Sequence, residues 1–381
     1  MLKKVVYLSM SLLAGSAVSC FPGLGAAAFL LLALPCSGMD FYLWQRSHNH
    51  EVKAAVKDFY ANSSGKLYCL AGELEGRGKV VSIKPSDAIS LDRSVAVIRI
   101  HTDAVKDYYN FPIANAREII KKIVKLYLPW KQCQALEIDL DIPESKIDFY
   151  ADLIMQLREN LPGVTLSATV LPCHLSHRQE FSRLASACDF YVLQVHGLNK
   201  DKGYWSIFDY SDSVKAVEKA KSFKRSFKVA LPLYCNNIDR STLVKPDLQK
   251  VSDLAKISPQ VIGFRLGLSG DGNALDWQTA AALCRGESYQ PKLQMQWQLQ
   301  GNGAWILSMK NVGYFSELVT LQLPNELQKI LTDADTFNNA FFDKHSGTIK
   351  LRLPPATSEI KVMWARFSEN PNKKSPITIK E

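Results

Sequence analysis

From Asp40 to Cys284 the chain alternates short apolar runs with longer stretches of helical period, and this alternation constrains its fold more than any other feature. Runs of four to eight β-branched and aromatic residues read as strands, whereas apolar residues three and four apart read as helices packing one stripe against a sheet. Strand then helix, repeated, gives parallel strands, because each helix carries the chain back to the starting edge. Strands are expected at Phe41 to Gln45, Lys66 to Leu74, Val95 to His101, Ala135 to Pro143, Thr165 to Leu171, Phe190 to His196, Phe227 to Tyr234 and Val261 to Leu266. Helices are expected near Glu51 to Tyr60, Asn115 to Leu128, Ser145 to Arg158, Gln179 to Ala187, Asp212 to Lys224, Asp247 to Ile257 and Asp276 to Cys284. The second unit departs from the pattern, with Lys79 to Lys84 reading as an extra strand where a helix is due. Eight units in about 250 residues predict a closed α/β barrel of the (β/α)8, TIM-like kind over residues 39–286.

The flanks read differently. Composition shifts at Arg285-Gly286-Glu287-Ser288-Tyr289-Gln290-Pro291, so residues 287–291 are expected to be a linker. Beyond it the period drops to two, with Leu293, Met295, Trp297 and Leu299 alternating with Gln and Lys before Gly301-Asn302-Gly303 turns into Trp305 to Met309. With Val319 to Leu323, Thr348 to Leu353 and Glu359 to Phe367 also strand-like, residues 292–370 predict a small β-sandwich, and 371–381 a frayed polar tail. At the other end, Lys3 and Lys4 precede an uncharged run from Val5 to Gly38, so residues 1–38 read as an export segment. It is either a signal peptide cleaved near Cys36-Ser37-Gly38 or a membrane or lipid anchor, the latter suggested by Ala17-Val18-Ser19-Cys20 and by a length sufficient to span a bilayer. The expected location is therefore periplasmic, membrane-anchored or extracellular in a bacterium, with no other segment meeting the membrane.

Charge and motif content exclude several classes. Although the net charge is +9, the densest basic group (Lys215, Lys219, Lys221, Lys224, Arg225, Lys228) falls on one helix and its exit, which suits a solvated face rather than nucleic acid. The six cysteines after the export segment contain no Cys-x-x-Cys pair, and Cys173-His174 with His177 has no second cluster at zinc spacing. No Gly-x-Ser-x-Gly, phosphate loop or dinucleotide glycine pattern follows a strand, which argues against α/β-hydrolases, NTPases and Rossmann enzymes. Neither a cofactor nor a metal is expected.

Chemistry is expected where the strands end, because barrel loops surround the mouth there. On the fourth strand Glu137, Asp139 and Asp141 share one parity and Leu136, Ile138 and Leu140 the other. A row of carboxylates is costly to bury, so a fold keeps it for chemistry or supplies it with partners. Depth separates the three: Glu137 is expected in a structural ion pair with Arg99, Asp139 and Asp141 in catalysis. Other strand ends bring Trp44 and Gln45, Glu73, His101, His174, Gln194 and His196, Tyr234, and Arg265 as substrate-binding candidates, with Trp205 a further ring for stacking. His48, His50 and His177 read as surface or capping residues.

An ordered set of motifs resembles a bacterial family catalogued as domain of unknown function 3142. It comprises Tyr42-Leu43-Trp44-Gln45-Arg46, Leu136-Glu137-Ile138-Asp139-Leu140-Asp141, Phe149-Tyr150, Leu157-Arg158, Leu161-Pro162, Leu166-Ser167-Ala168-Thr169, Leu171 and Cys173, across Phe41 to Asn237. The resemblance implies an exported TIM barrel related to glycoside hydrolases. The acidic row is also similar to that of family 18 chitinase-type glycosidases, whose fourth strand ends in a Glu acid where this chain has the shorter Asp141. That likeness implies a protein that binds and hydrolyses a polysaccharide, Asp141 donating the proton with Asp139 as its electrostatic partner. The alternative is a non-catalytic cell-envelope carbohydrate-binding or scaffold protein on a degenerate barrel, favoured by Asp in place of Glu.

Overall fold

Eight parallel strands close on themselves in chain order: β1 Asp40–Leu43, β2 Leu67–Leu74, β3 Ser94–Ile100, β4 Ala135–Asp139, β5 Thr165–Val170, β6 Phe190–Gln194, β7 Phe227–Pro232 and β8 Val261–Phe264. The ring is completed where Asp40 and Phe41 of β1 pair with Ile262 and Gly263 of β8. The computed structural model describes residues 38–109, 116–239, 242–337, 339–355 and 359–380, so all but the last residue of the expected export segment lies outside it. Among the described residues no helix is long and apolar enough to cross a membrane.

Among the described residues, seven helices of eight residues or more follow the strands: α1 His50–Asn62, α2 Arg117–Tyr127, α3 Ile147–Asn160, α4 Arg178–Ala187, α5 Tyr210–Lys221, α6 Leu248–Ile257 and α7 Trp277–Cys284. Four begin at side-chain caps, where Asn49, Asp209, Asp247 and Asp276 accept from the backbone N–H three residues on. Each such cap supplies a partner to an otherwise orphaned helix donor, a gain of about 1 kcal/mol. After β2 the chain instead lays Val80–Ser82 antiparallel along that strand, Glu73 opposite Val81, as the sequence pattern indicated.

Strand parity divides the core in two. Outward residues such as Leu136, Ile138, Leu166 and Ala168 pack beneath Tyr150, Leu153 and Phe181 of the helices. Inward residues form a smaller cluster within the barrel, including Tyr42, Tyr68, Val97, Val192, Ala230 and Ile262. Its floor carries an ion pair in which Lys228 Nζ bonds Asp40 Oδ2 at 2.5 Å and the Tyr68 hydroxyl at 3.0 Å. The six cysteines from Cys69 onward are unpaired.

Beyond α7 the chain forms two four-stranded antiparallel sheets. The first runs in the order Lys292–Leu299, Trp305–Val312, Glu359–Phe367, Leu331–Thr336, and the second Phe341–Asp343, Thr348–Arg352, Leu318–Gln322, Thr378–Ile379. Trp297, Leu307 and Val362 of the first share one apolar cluster with Leu321, Ile349 and Leu351 of the second. The expected linker is held at its first and middle residues: the Ser252 hydroxyl donates to Glu287 O at 2.6 Å and the Tyr289 hydroxyl to Gly313 O at 2.9 Å. The polar tail differs from the expected frayed end. Ile377 is buried, and Thr378 and Ile379 pair with Gln322 and Leu321, because Ile377 and Ile379 pack against the apolar cluster shared by the two sheets.

Candidate functional site

The site grows from the register of β4 against its neighbours. Pairing aligns Glu137 with Val97 of β3 and Asp139 with Arg99, so the arginine stands one inward step above Glu137. This corrects the expected Arg99–Glu137 ion pair: Arg99 Nε approaches Asp139 Oδ2 at 3.8 Å and its Nη1 approaches Glu73 Oε1 at 3.9 Å. Glu137 is fully buried and held by hydroxyls, accepting from Tyr42 at 2.6 Å and Ser167 at 3.3 Å. Burial pushes its carboxyl up to about 8, against the opposing pull of the Tyr42 hydrogen bond.

Asp139 ends the strand with its side chain 13% exposed. Burial first and the charge of Asp141 second raise it to about 7, with Arg99 and the Thr169 hydroxyl acting the other way. Past this point the pleat breaks. Ile142 N–H donates to Leu140 O at 2.9 Å, closing a three-residue turn centred on Asp141, and the Thr102 hydroxyl donates to Asp141 O at 2.8 Å. The turn, rather than strand parity, sets Asp141 at the rim with its side chain exposed.

Both aspartates line a cavity of about 110 Å³ at the C-terminal end of the strands, open to solvent. Arg99, Thr169, Gln194 and His196 complete its polar lining, while Tyr42, Trp44, Tyr234 and Phe264 form an aromatic wall. Rings in the wall brace one another: Trp44 lies 5.4 Å from Phe264 and 5.9 Å from Tyr42, centroid to centroid. His196 is 8% exposed and tilted over Phe264, with Nδ1 3.4 Å from the Tyr234 hydroxyl and, among the described residues, no hydrogen-bond partner at Nε2. Burial lowers its pKa to about 3, so the imidazole is neutral at ordinary pH. The Tyr234 hydroxyl, pushed up to about 12 by burial, keeps its proton.

Other expected site residues fall outside the cavity lining. Glu73 is buried beside it under a basic collar, with Arg46 Nε at 2.5 Å and His101 Nε2 at 3.7 Å. Gln45 is half-buried just past β1 and Arg265 pairs with Asp271 at 2.7 Å in the loop after β8. His174 is turned into the wall: Leu171 N–H donates to Nδ1 at 3.2 Å, which leaves Nε2–H to donate to Ile142 O at 2.8 Å. It therefore ties the loop after β5 to the turn that carries Asp141. His177 pairs with Glu144 at 2.8 Å, and among the described residues no three His, Cys, Asp or Glu side chains gather as metal ligands. Tyr42, Thr169 and Phe264 were not among the expected site residues; the inward parity that singled out Asp139 also marks Tyr42, two residues before Trp44 on β1.

Residues 93–286 match the family described as "Domain of unknown function (DUF3142)". No curated protein matches the chain. Similar solved structures include the spore cortex-lytic enzyme SleL of Bacillus megaterium QM B1551, at 10% identity and TM-score 0.44, covering 83% of this chain and 65% of that one. The present chain thus spans under two thirds of that enzyme's length. A class V chitinase from Pseudomonas fluorescens Pf-5 matches at 10% identity and TM-score 0.42, covering 73% of this chain and 83% of that one. Alpha-galactosidase I from Mortierella vinacea matches at 10% identity and TM-score 0.35, covering 88% and 98% respectively.

Proposed function

The chain belongs to the DUF3142 family, and from the residues its barrel gathers we propose that it binds a polysaccharide and hydrolyses it at the Asp139–Asp141 pair. The observation that carries this reading is one open cavity in which two carboxylates face an aromatic wall. Aromatic faces suit the C–H faces of a sugar ring, and carboxylates suit both its hydroxyls and the proton transfers of glycosidic cleavage.

The two aspartates differ in environment, which separates their roles. Asp139, raised to about 7, retains its proton near neutrality and is the better donor to a leaving glycosidic oxygen. Asp141, exposed on its turn, serves as the charged partner, either activating water or stabilising developing positive charge. This exchanges the roles the sequence suggested. Trp44 packs against the sugar ring, and Gln194, Tyr234 and neutral His196 engage its hydroxyls. The C-terminal sheets, read as a β-sandwich, accompany the barrel, and residues 1–38 serve as a signal peptide or as a membrane or lipid anchor.

A non-catalytic glycan-binding role is the second reading, favoured by the short side chain and exposure of Asp141. A panel of soluble and insoluble polysaccharides, analysed for released products by chromatography and mass spectrometry, separates the two. Hydrolysis predicts products from wild type and a rate lower by about 10²–10⁴ in Asp139→Asn, with binding retained. Binding without turnover in wild type supports the scaffold, and turnover undiminished in both Asp139→Asn and Asp141→Asn removes this pair from the chemistry.

A further inference from the structure

Away from the mouth the barrel has another concavity, of about 300 Å³, between α1 and the loop that runs from β8 into α7. It shares no lining residue with the Asp139 cavity. Helical spacing builds its first wall: Glu51, Ala54, Ala55 and Asp58 stand three and four residues apart, so they occupy one face of α1, the alanines leaving room between the two acids. Lys53 and Lys57 project from the far side of the same helix, where Lys53 pairs with Asp87 at 2.7 Å. The other wall brings Leu268, Trp277 and the N-cap residue of α7, Asp276. Three carboxylates therefore line the cleft, and no Lys, Arg or His is among its lining residues.

The three acids are not equally committed to the fold. Asp58 accepts from the Trp277 indole N–H at Oδ2 and from the Asn62 amide at Oδ1, so it contributes chiefly its charge. Asp276 caps α7 through Oδ1, which takes the Thr279 N–H at 2.9 Å. That residue is only 8% exposed, yet its Oδ2 has no hydrogen-bond partner among the described residues. A helix cap uses one oxygen, and a buried carboxylate oxygen left without a donor is costly. Oδ2 is thus the atom that Asp276 has to offer the cleft it lines. Glu51, exposed in the first turn of α1, supplies a second acceptor.

Such a cleft lacks a positively charged donor. A bare metal ion does not suit it, since among the described residues no three His, Cys, Asp or Glu side chains converge as ligands. A cation carried on an apolar stem meets both parts of the lining: its N–H groups reach separate carboxylates, and its carbons lie against Ala54, Ala55, Leu268 and the Trp277 indole. We propose that the cleft binds a small organic cation, a primary amine or guanidinium whose head donates to Asp276 Oδ2 and Glu51. At about 300 Å³ the space lies at the lower end of small-molecule pockets, which suits a ligand of a few carbons.

Isothermal titration calorimetry of the full chain at low ionic strength tests this, with cadaverine, agmatine and glucosamine as probes, 1,5-pentanediol as the uncharged counterpart of cadaverine, and calcium chloride as the metal control. Wild type is compared with Asp276→Asn and Glu51→Gln. Asn caps a helix about as well as Asp, and Glu51 is exposed, so both variants keep the fold, which thermal unfolding checks. Wild type should bind at least one of the amines one to one and the diol not at all, and each substitution should weaken that binding about tenfold or more. Binding of glucosamine alone assigns the cation to an amino sugar; binding of cadaverine or agmatine assigns it to a free amine or guanidine. No binding by any of the three amines, an affinity unchanged in either variant, or binding of the diol or of calcium in their place overturns the proposal. The chemistry proposed for Asp139 and Asp141 stands or falls separately.

Discussion

Replacing Glu137 by Gln should make the protein more stable in alkali and leave it little changed in acid. The carboxyl is fully buried and raised from 4.5 to about 8, mainly by desolvation. In the unfolded chain it ionises at its ordinary value, so folding above that pH requires taking up a proton. A folded-state pKa above the unfolded one gives stability that is complete below the unfolded value and drains away as pH climbs to the folded value. At ~1.36 kcal/mol per pH unit the full span is ~5 kcal/mol, of which about 3 kcal/mol falls between pH 5 and pH 8. Gln matches the protonated acid in size: its Oε1 accepts from Tyr42 as Glu137 Oε1 does, and its amide faces the Ser167 hydroxyl. Asp139, raised from 3.8 to about 7, gives a slope of the same sign that the substitution leaves in place. Urea unfolding of both proteins at pH 5, 6, 7 and 8 is the assay. The expected result is a difference near zero at pH 5 that grows to about 3 kcal/mol in favour of Glu137→Gln at pH 8. Equal wild-type stability at pH 5 and 8, with parallel curves for the two proteins, would refute the claim that this carboxyl is held protonated.

Other outcomes follow from the same geometry. Turnover of any glycan found in the panel should fall as pH rises through about 7, where Asp139 gives up its proton, and Asp139→Asn should abolish that limb of the kcat profile. His174→Ala removes the acceptor of Leu171 N–H and the donor to Ile142 O inside a buried wall, and should cost about 2–4 kcal/mol in urea unfolding; a loss below ~1 kcal/mol contradicts the structural role given to this ring. Gly267→Ala puts a Cβ 1.9 Å from the backbone oxygen of Leu275, which cannot swing aside, and should lower stability by ~2 kcal/mol or more; an unchanged Tm means the loop after β8 relaxes freely.

Strand parity made the barrel and much of its mouth readable from sequence. The apolar runs gave eight strands in order, and the period of two across Leu136 to Asp139 assigned Glu137 and Asp139 to the interior. What parity cannot supply is register between strands. Whether Arg99 stands level with Glu137 or with Asp139 depends on how β3 slides against β4, and Tyr42 reaches Glu137 from a strand 95 residues away. Nor does periodicity indicate where a strand stops. Asp141 looked like a continuation of the row, but the turn closed by Ile142 N–H takes it out of the pleat. His174 shows a third limit: a histidine after a strand looks alike whether it faces the mouth or anchors a loop, and only the donors around it decide. The short final strand at Thr378–Ile379 was missed because the alternation Ile377-Thr378-Ile379 is too brief to read as a strand without the edge offered by Leu318–Gln322.

The seam between β1 and β8 makes the barrel a ring closed by two strands from opposite ends of the barrel sequence. Phe41 waits for Gly263, roughly 220 residues away, and closing a loop of that length costs ~5 kcal/mol of chain entropy, scarcely more than one half as long. The distance is thus cheap in equilibrium and demanding only in time. Until β8 arrives, β1 and β7 each present a bare strand edge, and an unpaired edge accepts any strand of compatible length. A second copy of this chain carries such a strand at the same position. Slowed synthesis or a weakened β8 would therefore favour two barrels closed by exchanged strands over one closed by its own.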